Sequence, residues 1–196
     1  MSLIPLFQAC AALCDTDSDI EREAKTAMLQ IADKDISDQN NIGYGQHNLP
    51  PEILKVMRHD DADPICALID RYAFEWRPPS TSDSAAYIED SIAKSHVELI
   101  GPNGFIPSDR LRIGLYGMLP HSAYGVRTHA AEEVYIMLAG EVFWQRDEGG
   151  FSMHLPGSRS YHPSFMKHAN ATAEYGFMSV YIWRGDVSTD SYSYSG

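Results

Sequence analysis

Three side chains that could bind a metal ion or move a proton stand close together in this chain, at His129, Glu133 and Tyr135. If the stretch is a β-strand, its side chains alternate between two faces, and these three lie on the same face. An imidazole, a carboxylate and a phenol that converge on one point form a set of metal ligands. The stretch therefore predicts a metal centre in the interior of a β-structure.

The spacing of the residues around this stretch supports a metal centre. His129 and Glu133 are separated by three residues, and Gly140 follows Glu133 after six more. Further along the chain, five residues separate Gly157 from Pro163, and four separate Pro163 from His168. These spacings resemble the two metal-binding motifs of the cupins. The resemblance implies that His129, Glu133 and His168 hold one divalent ion and leave coordination positions open for a substrate, as in a catalytic site.

The chain departs from the cupin pattern in several places. Arg127 occupies the position where general cupins carry a first histidine, so it either folds aside or places a cation near the site. Tyr135 is a candidate for the missing ligand, because a divalent ion stabilises phenolate and lowers the pKa of a bound tyrosine below ~10. Phe165 and Thr172 replace a usual glycine and asparagine. The remaining nearby histidines fit no ligand position and are expected to be structural or supporting: His121, His154 and His162.

The two halves of the chain have different patterns. Up to about residue 104, capped amphipathic segments predict helices, the last of them running from Ser82 or Asp83 to near Gly101. From residue 105, short apolar segments separated by turn residues predict strands: Leu111 to Met118, Glu132 to Leu138, Glu141 to Gln145, Phe151 to Leu155, Tyr161 to Met166 and Phe177 to Arg184. We therefore predict a mainly β fold, with an N-terminal helical extension (1–104), a cupin jelly-roll barrel (105–187) and a loosely ordered tail (188–196) that together form one structural unit.

A narrower resemblance rests on the run from Tyr124 to Tyr135, together with a last strand that carries Tyr181 and Trp183. These features are similar to the small cupin-type dimethylsulfoniopropionate (DMSP) lyases of marine bacteria. The resemblance implies a metal, with zinc and iron first and manganese also suitable, held by His129, Glu133, His168 and Tyr135. It also places Tyr124 at the substrate.

The implied activity is that of a carbon–sulfur lyase, dimethylpropiothetin dethiomethylase, which forms dimethyl sulfide and acrylate. The reaction is a β-elimination that begins with loss of the proton α to the carboxylate, and Tyr135 or Tyr124 would accept that proton. The sulfonium is a diffuse cation suited to aromatic faces, for which Tyr181 and Trp183 are candidates.

Two other functions remain open on the sequence. A cupin metal site also suits a dioxygenase or an isomerase acting on a small carboxylate or sugar, in which case Tyr135 would only line the pocket. A noncatalytic cupin that binds a ligand is the third hypothesis, although such modules often lose the metal ligands that this chain keeps.

Composition restricts the partners further. The formal net charge of −12 argues against nucleic acid and agrees with a cationic small molecule. The three cysteines are predicted to be thiols in the core. The chain lacks a basic leader segment and a long apolar run, which predicts a cytoplasmic protein that does not contact membranes. Oligomeric state is left open, since a monomer and a dimer are both compatible with the sequence.

Overall fold

The computed structural model describes residues 2–33, 43, 45 and 47–195. Within these ranges, five helices lie in the first half of the chain: α1 (Ile4–Leu13), α2 (Asp19–Asp33), α3 (Pro51–Met57), α4 (Ile65–Ile69) and α5 (Ala85–Ser91). Ten strands follow: β1 (Lys94–Ile100), β2 (Leu111–Met118), β3 (Ala123–Thr128), β4 (Glu132–Gly140), β5 (Val142–Arg146), β6 (Ser152–His154), β7 (Arg159–His162), β8 (His168–Ala171), β9 (Phe177–Arg184) and β10 (Ser193–Ser195).

The strands form two antiparallel five-stranded sheets. One has the order β1-β2-β9-β4-β7, and the other has the order β10-β3-β8-β5-β6. Consecutive strands such as β3 and β4 therefore belong to different sheets, and the chain crosses repeatedly from one sheet to the other. The predicted mainly β architecture with N-terminal helices is confirmed.

The first sheet is covered on both faces, because it separates two apolar cores. On its outer face, Val134, Ile136 and Ile182 pack with the buried residues of α1 to α4. On its inner face, Tyr135 and Trp183 belong to an aromatic core inside the barrel. This explains why β4 and β9 are buried at nearly every position instead of alternating between buried and exposed residues.

Strands β2 and β9 have the bounds predicted from the sequence, but other elements differ. The helix predicted to reach Gly101 is wrong beyond Ser91, because residues 94–100 form β1 and pair with β2. The strand predicted from Tyr161 to Met166 is also wrong at its end, because β7 stops at His162 and a turn leads to β8. The turn contains Phe165 with φ 60°, a left-handed conformation that suits the glycine usual at this position.

The segment expected to be a loosely ordered tail contains β10, which pairs with β3. The division of the chain at residues 104 and 187 stays a prediction, and β1 lies before the first of these boundaries. The sequence also predicts that the polar loop spanning residues 36–48 acts as a lid that sets specificity, and this loop falls mostly outside the described residues.

The three cysteines are buried free thiols, as expected. Among the described helices, none is long and apolar enough to cross a membrane.

Candidate metal centre

Glu133 lies at the centre of a row of side chains that crosses three neighbouring strands. In the ladder it pairs with His162 of β7 on one side and with Trp183 of β9 on the other. His162 Nδ1 lies 3.1 Å from Glu133 Oε2, and the indole N–H of Trp183 donates a hydrogen bond to Oε1. Strand pairing therefore positions both groups that hold the carboxylate, although they come from distant parts of the sequence.

The two histidines of the predicted ligand set approach Glu133 from the opposite sheet. His168 begins β8, and His129 follows the end of β3. The prediction that His129 and Glu133 share one strand is wrong, because β4 begins only at Glu132. The two side chains still converge, because the chain crosses between the two sheets in this short turn. His129, Glu133 and His168 offer ligand atoms that all lie within 4.8 Å of one another.

The hydrogen bonds of the two histidines define which ring nitrogen carries a proton. His129 Nδ1 lies 2.9 Å from the carbonyl oxygen of Ala131, and His168 Nδ1 lies 2.9 Å from that of Met166. A carbonyl oxygen only accepts, so in the neutral rings both Nδ1 atoms carry the proton and both Nε2 atoms keep a lone pair. Each Nε2 is buried without a hydrogen-bond partner among the described residues.

These lone pairs face a carboxylate. Nε2 of His129 lies 3.5 Å from Glu133 Oε2, and Nε2 of His168 lies 3.2 Å from the same oxygen. A cation between these three electron-pair donors would stabilise them in their buried position. In both rings the Nδ1 atom contacts a carbonyl oxygen, which orients the imidazole as in known metal sites. The residues present therefore fit a divalent ion.

The charge states of these groups suit the same role. Burial and Arg127 lower the pKa of His168 to about 3, so its ring is neutral at physiological pH. Burial raises the pKa of the Glu133 carboxyl, but hydrogen bonding, including that from His162 Nδ1, outweighs burial and holds that pKa well below its usual range. The centre thus offers the neutral imidazole of His168 and the carboxylate of Glu133.

Tyr135 lies beside this centre, one pleat repeat along β4 from Glu133. Burial and the Glu133 carboxylate raise the pKa of Tyr135 well above 10, whereas Arg127 lowers it. The protein by itself therefore keeps this phenol protonated, and an additional positive charge would be needed to form phenolate.

A cavity of about 620 Å³ opens onto the centre. All the residues predicted to act on the substrate line it: Tyr124, Tyr135, Tyr181 and Trp183. The hydroxyl of Tyr181 lies 2.7 Å from His96 Nε2. Gly114 makes room for this tyrosine, since a Cβ atom there would lie 2.6 Å from the Tyr181 ring.

Trp183 packs against two neighbouring side chains. Its ring stacks on His129 with centroids 4.0 Å apart, and the guanidinium carbon of Arg112 lies 5.7 Å from the indole. Together with the hydrogen bond from its indole N–H to Glu133, this packing favours a supporting role at the metal centre. Its predicted role in binding the sulfonium stays a prediction.

Two of the other histidines lie away from the centre. His121 is in an exposed turn with φ 53°, and His154 lies on β6 with Nε2 3.3 Å from the hydroxyl of Ser152. His162 differs from both, because it is fully buried and contacts Glu133 directly. The expectation of a structural or supporting position is compatible with all three placements.

Sequence reasoning missed two contributors to the cavity. Tyr192, in the segment before β10, places its hydroxyl 2.6 Å from that of Tyr124. His96 lies on the strand that was predicted as helix. Neither belongs to a motif, and both reach the site only through strand pairing.

Comparison with known proteins assigns the chain to a family. The family model for dimethylsulfoniopropionate lyase matches residues 52–178. The chain belongs to the dimethylsulfoniopropionate lyase family. The family match includes Tyr124, the three clustered ligands and Tyr135, and it ends before Tyr181 and Trp183.

One curated relative in this family is dimethylsulfoniopropionate lyase DddQ of Ruegeria pomeroyi, which is 39% identical over 92 residues. The aligned segment covers 46% of this chain and spans only 45% of the relative's length. The crystal structure of DMSP lyase DddQ from Ruegeria pomeroyi DSS-3 superposes with a TM-score of 0.60 at 23% identity, covering 97% of this chain and 96% of that one.

A structure reported with the DMSP lyases RdDddP and RnDddQII superposes with a TM-score of 0.59 at 21% identity, covering 81% of this chain and 85% of that one. At these identities the solved structures of the family show a shared fold.

Proposed function

We propose that this chain is a metal-dependent lyase that cleaves dimethylsulfoniopropionate into dimethyl sulfide and acrylate. Family membership supports the substrate class, and the relative DddQ is named as a dimethylsulfoniopropionate lyase. The observation that carries the proposal is the group of His129, Glu133 and His168, whose lone pairs converge beside two tyrosines on one cavity.

His129, Glu133 and His168 would hold the ion, with Tyr135 as a fourth ligand. Zinc and iron are proposed first, and manganese is compatible with the same nitrogen and oxygen donors. When bound, a divalent ion supplies a Lewis acid that stabilises the negative charge developing on the substrate carboxylate.

The chain's own groups move the proton. A tyrosine in its deprotonated form, Tyr135 or Tyr124, would accept the proton from the carbon next to the carboxylate, after losing its own hydroxyl proton to water in the metal-loaded protein. The electron pair of that C–H bond forms the new carbon–carbon double bond, and the C–S bond breaks with its electron pair on sulfur. The products are neutral dimethyl sulfide and acrylate, and the proton remains on the tyrosine until it passes to water.

The two tyrosines have different surroundings. Tyr135 is one pleat repeat from Glu133, next to the metal ligands. The hydroxyl of Tyr124 is hydrogen-bonded to that of Tyr192, and the ring of Tyr124 packs against Lys94 and Arg127. Tyr135→Phe tests the assignment, because loss of a general base lowers turnover by ~10²–10⁴-fold. Near-normal turnover would move the role to Tyr124.

The decisive experiment is to load the purified protein with zinc, iron or manganese, add dimethylsulfoniopropionate and measure headspace dimethyl sulfide. We expect release that chelation abolishes. His129→Ala and His168→Ala should lose both the metal and the activity, whereas His154→Ala, outside the centre, should keep the metal. Absence of release with every ion would refute the proposed activity and favour another cupin reaction or a noncatalytic protein.

A further inference from the structure

Arg127 is a buried cation in the wall of the cavity, at the position where general cupins carry a metal-binding histidine. Its residue is only 3% exposed, and it lies on β3 with the side chain directed to the barrel interior. It lines the same cavity as Tyr135 and Glu133. The chain has therefore exchanged a ligand position for a permanent positive charge.

The contacts of Arg127 are with neutral groups. Its guanidinium donates to Asn170 Oδ1 at 3.0 Å and to the carbonyl of Gly125 at 3.4 Å. Its carbon Cζ lies 4.0 Å from the ring centre of Tyr124 and 5.4 Å from that of Trp144. Within the described part of the chain, no ion pair includes Arg127, and the Glu133 carboxylate in the same cavity acts on it only at longer range. A guanidinium has five N–H donors, so several are available to a ligand.

A second basic group, the amine of Lys94, is buried beside Arg127. Lys94 Nζ lies 3.1 Å from the centre of the Tyr124 ring, and Arg127 packs against the same ring. Burial and repulsion by Arg127 lower the pKa of Lys94 to about 6, so the amine can release its proton. An arginine stays charged under all ordinary conditions. Arg127 is thus the permanent charge in this part of the cavity, and a buried charge is costly unless it is paired.

The opposite side of the cavity has a different character. His96, Glu98 and Tyr181 line it from β1 and β9. The arginines on this side, Arg112 and Arg77, are each paired with a carboxylate, Glu98 and Glu75. A zwitterion with a carboxylate at one end and a sulfonium at the other would be repelled by Arg127 in one orientation and attracted in the other. The favoured orientation directs the carboxylate toward β3 and the sulfonium toward β1 and β9.

We propose that Arg127 binds the carboxylate of the substrate and so selects short carboxylates whose positive group is remote from the acid. The proposal deepens the proposed function and rests on it for the identity of the substrate. The contact is a charge-assisted hydrogen bond, and it is separate from any contact with the metal. Arg127 therefore binds a carboxylate even in protein from which the metal has been removed.

The test measures binding of acrylate by calorimetry to the full-length protein, both metal-loaded and after chelation. Acrylamide, which has the same shape without the charge, is the control ligand. Arg127→Gln should weaken acrylate binding at least tenfold in both states, equal to about 1.4 kcal/mol, and should leave acrylamide binding unchanged. Equal acrylate affinity in the variant and the parent would overturn the proposal.

If Arg127→Gln does not fold, as checked by circular dichroism, Arg127→Lys replaces it. The single ammonium cannot reproduce the planar fork of the guanidinium, so a weakening of at least threefold supports the proposal and an unchanged affinity overturns it. Failure of the proposed function has a different signature. In that case the metal-loaded parent releases no dimethyl sulfide, while the loss of acrylate binding in the variants is still observed.

Discussion

Trp183 donates its indole N–H to Glu133, and the same ring stacks on His129 with centroids 4.0 Å apart. One aromatic side chain thus restrains two of the three groups that converge at the metal centre. Its register opposite Glu133 in the β4-β9 ladder makes both contacts possible. An aromatic residue that looks like a substrate contact in the sequence also contacts two of the candidate metal ligands in the fold.

Replacement of Trp183 by phenylalanine should weaken metal binding. The variant keeps an aromatic ring but loses the hydrogen bond to Glu133, and loss of such an outer contact lowers metal affinity by ~10-fold or more. Competition with a chromophoric chelator measures the dissociation constant. Trp144→Phe is the matched control, because Trp144 is also buried in the barrel but its indole N–H has no hydrogen-bond partner among the described residues. Equal losses in the two variants would contradict the role given to the Trp183 hydrogen bond.

Ser160 should affect the metal centre although its hydroxyl contacts His162 and none of the ligands directly. Its hydroxyl lies 2.9 Å from His162 Nε2, and this contact leaves His162 Nδ1 to donate to Glu133. Ser160→Ala should lower metal affinity by less than the ~10-fold typical of direct contacts to a ligand, and it should lower the free energy of unfolding by ~1–3 kcal/mol.

The control for Ser160→Ala is Ser152→Ala. Ser152 and His154 form the same serine-histidine pair two residues apart, but they lie on β6 away from the centre. Chelator competition and urea unfolding should show little change for this variant. A similar loss of metal affinity in both variants would argue that Ser160 does not act on the metal centre through its contact with His162.

Lys94→Met should stabilise the protein, with a gain that depends on pH. Lys94 faces Ser91, Tyr87, Tyr124 and Arg127, with Asp90 as the acidic group that raises its pKa. Burial first, and then Arg127, lower that pKa to about 6 in the folded protein, against ~10.4 in an unfolded chain.

Between these two values the unfolded chain holds one proton more, so stability of the parent rises with pH by up to about 1.4 kcal/mol per unit. The advantage of the Lys94→Met variant should therefore be largest near pH 6 and shrink toward pH 10, as measured by urea unfolding. The exposed Lys55 is the matched position, and Lys55→Met should show no such slope. A constant difference across this range for Lys94→Met would contradict the expectation.

Phe165→Gly should also stabilise the fold. Phe165 has φ 60° in the turn before β8 and is 61% exposed, so its ring contributes little burial while its Cβ atom is strained. Removing the strain should raise the free energy of unfolding by about 1 kcal/mol, measured by thermal and urea unfolding. Phe151 is similarly exposed, at 52%, but has an ordinary negative φ, and Phe151→Gly should give no gain. A loss of stability in Phe165→Gly would show that the turn depends on the phenylalanine ring.

Local patterns predicted the parts of the fold that depend on short stretches of chain. Strands β2 and β9 were predicted with their observed bounds because each is a continuous apolar run between turn residues. β1 was predicted as helix because apolar residues from Ala86 to Ala93 have helical spacing, and the pairing of residues 94–100 with β2 overrides that pattern. Pairing partners lie far away along the chain, so the local pattern carries no information about them.

The sequence by itself determined the candidate ligands His129, Glu133 and His168 and the nearby Tyr135, because motif spacing is a local property. Only the tertiary structure decided that Trp183 and His162 hold the carboxylate, that Tyr192 reaches Tyr124, and that Arg127 forms no ion pair in the described part of the chain. The physical reason is that strand register and the facing of the two sheets create these contacts. Both arise from burial of two apolar cores on opposite faces of one sheet, which is a property of the whole fold.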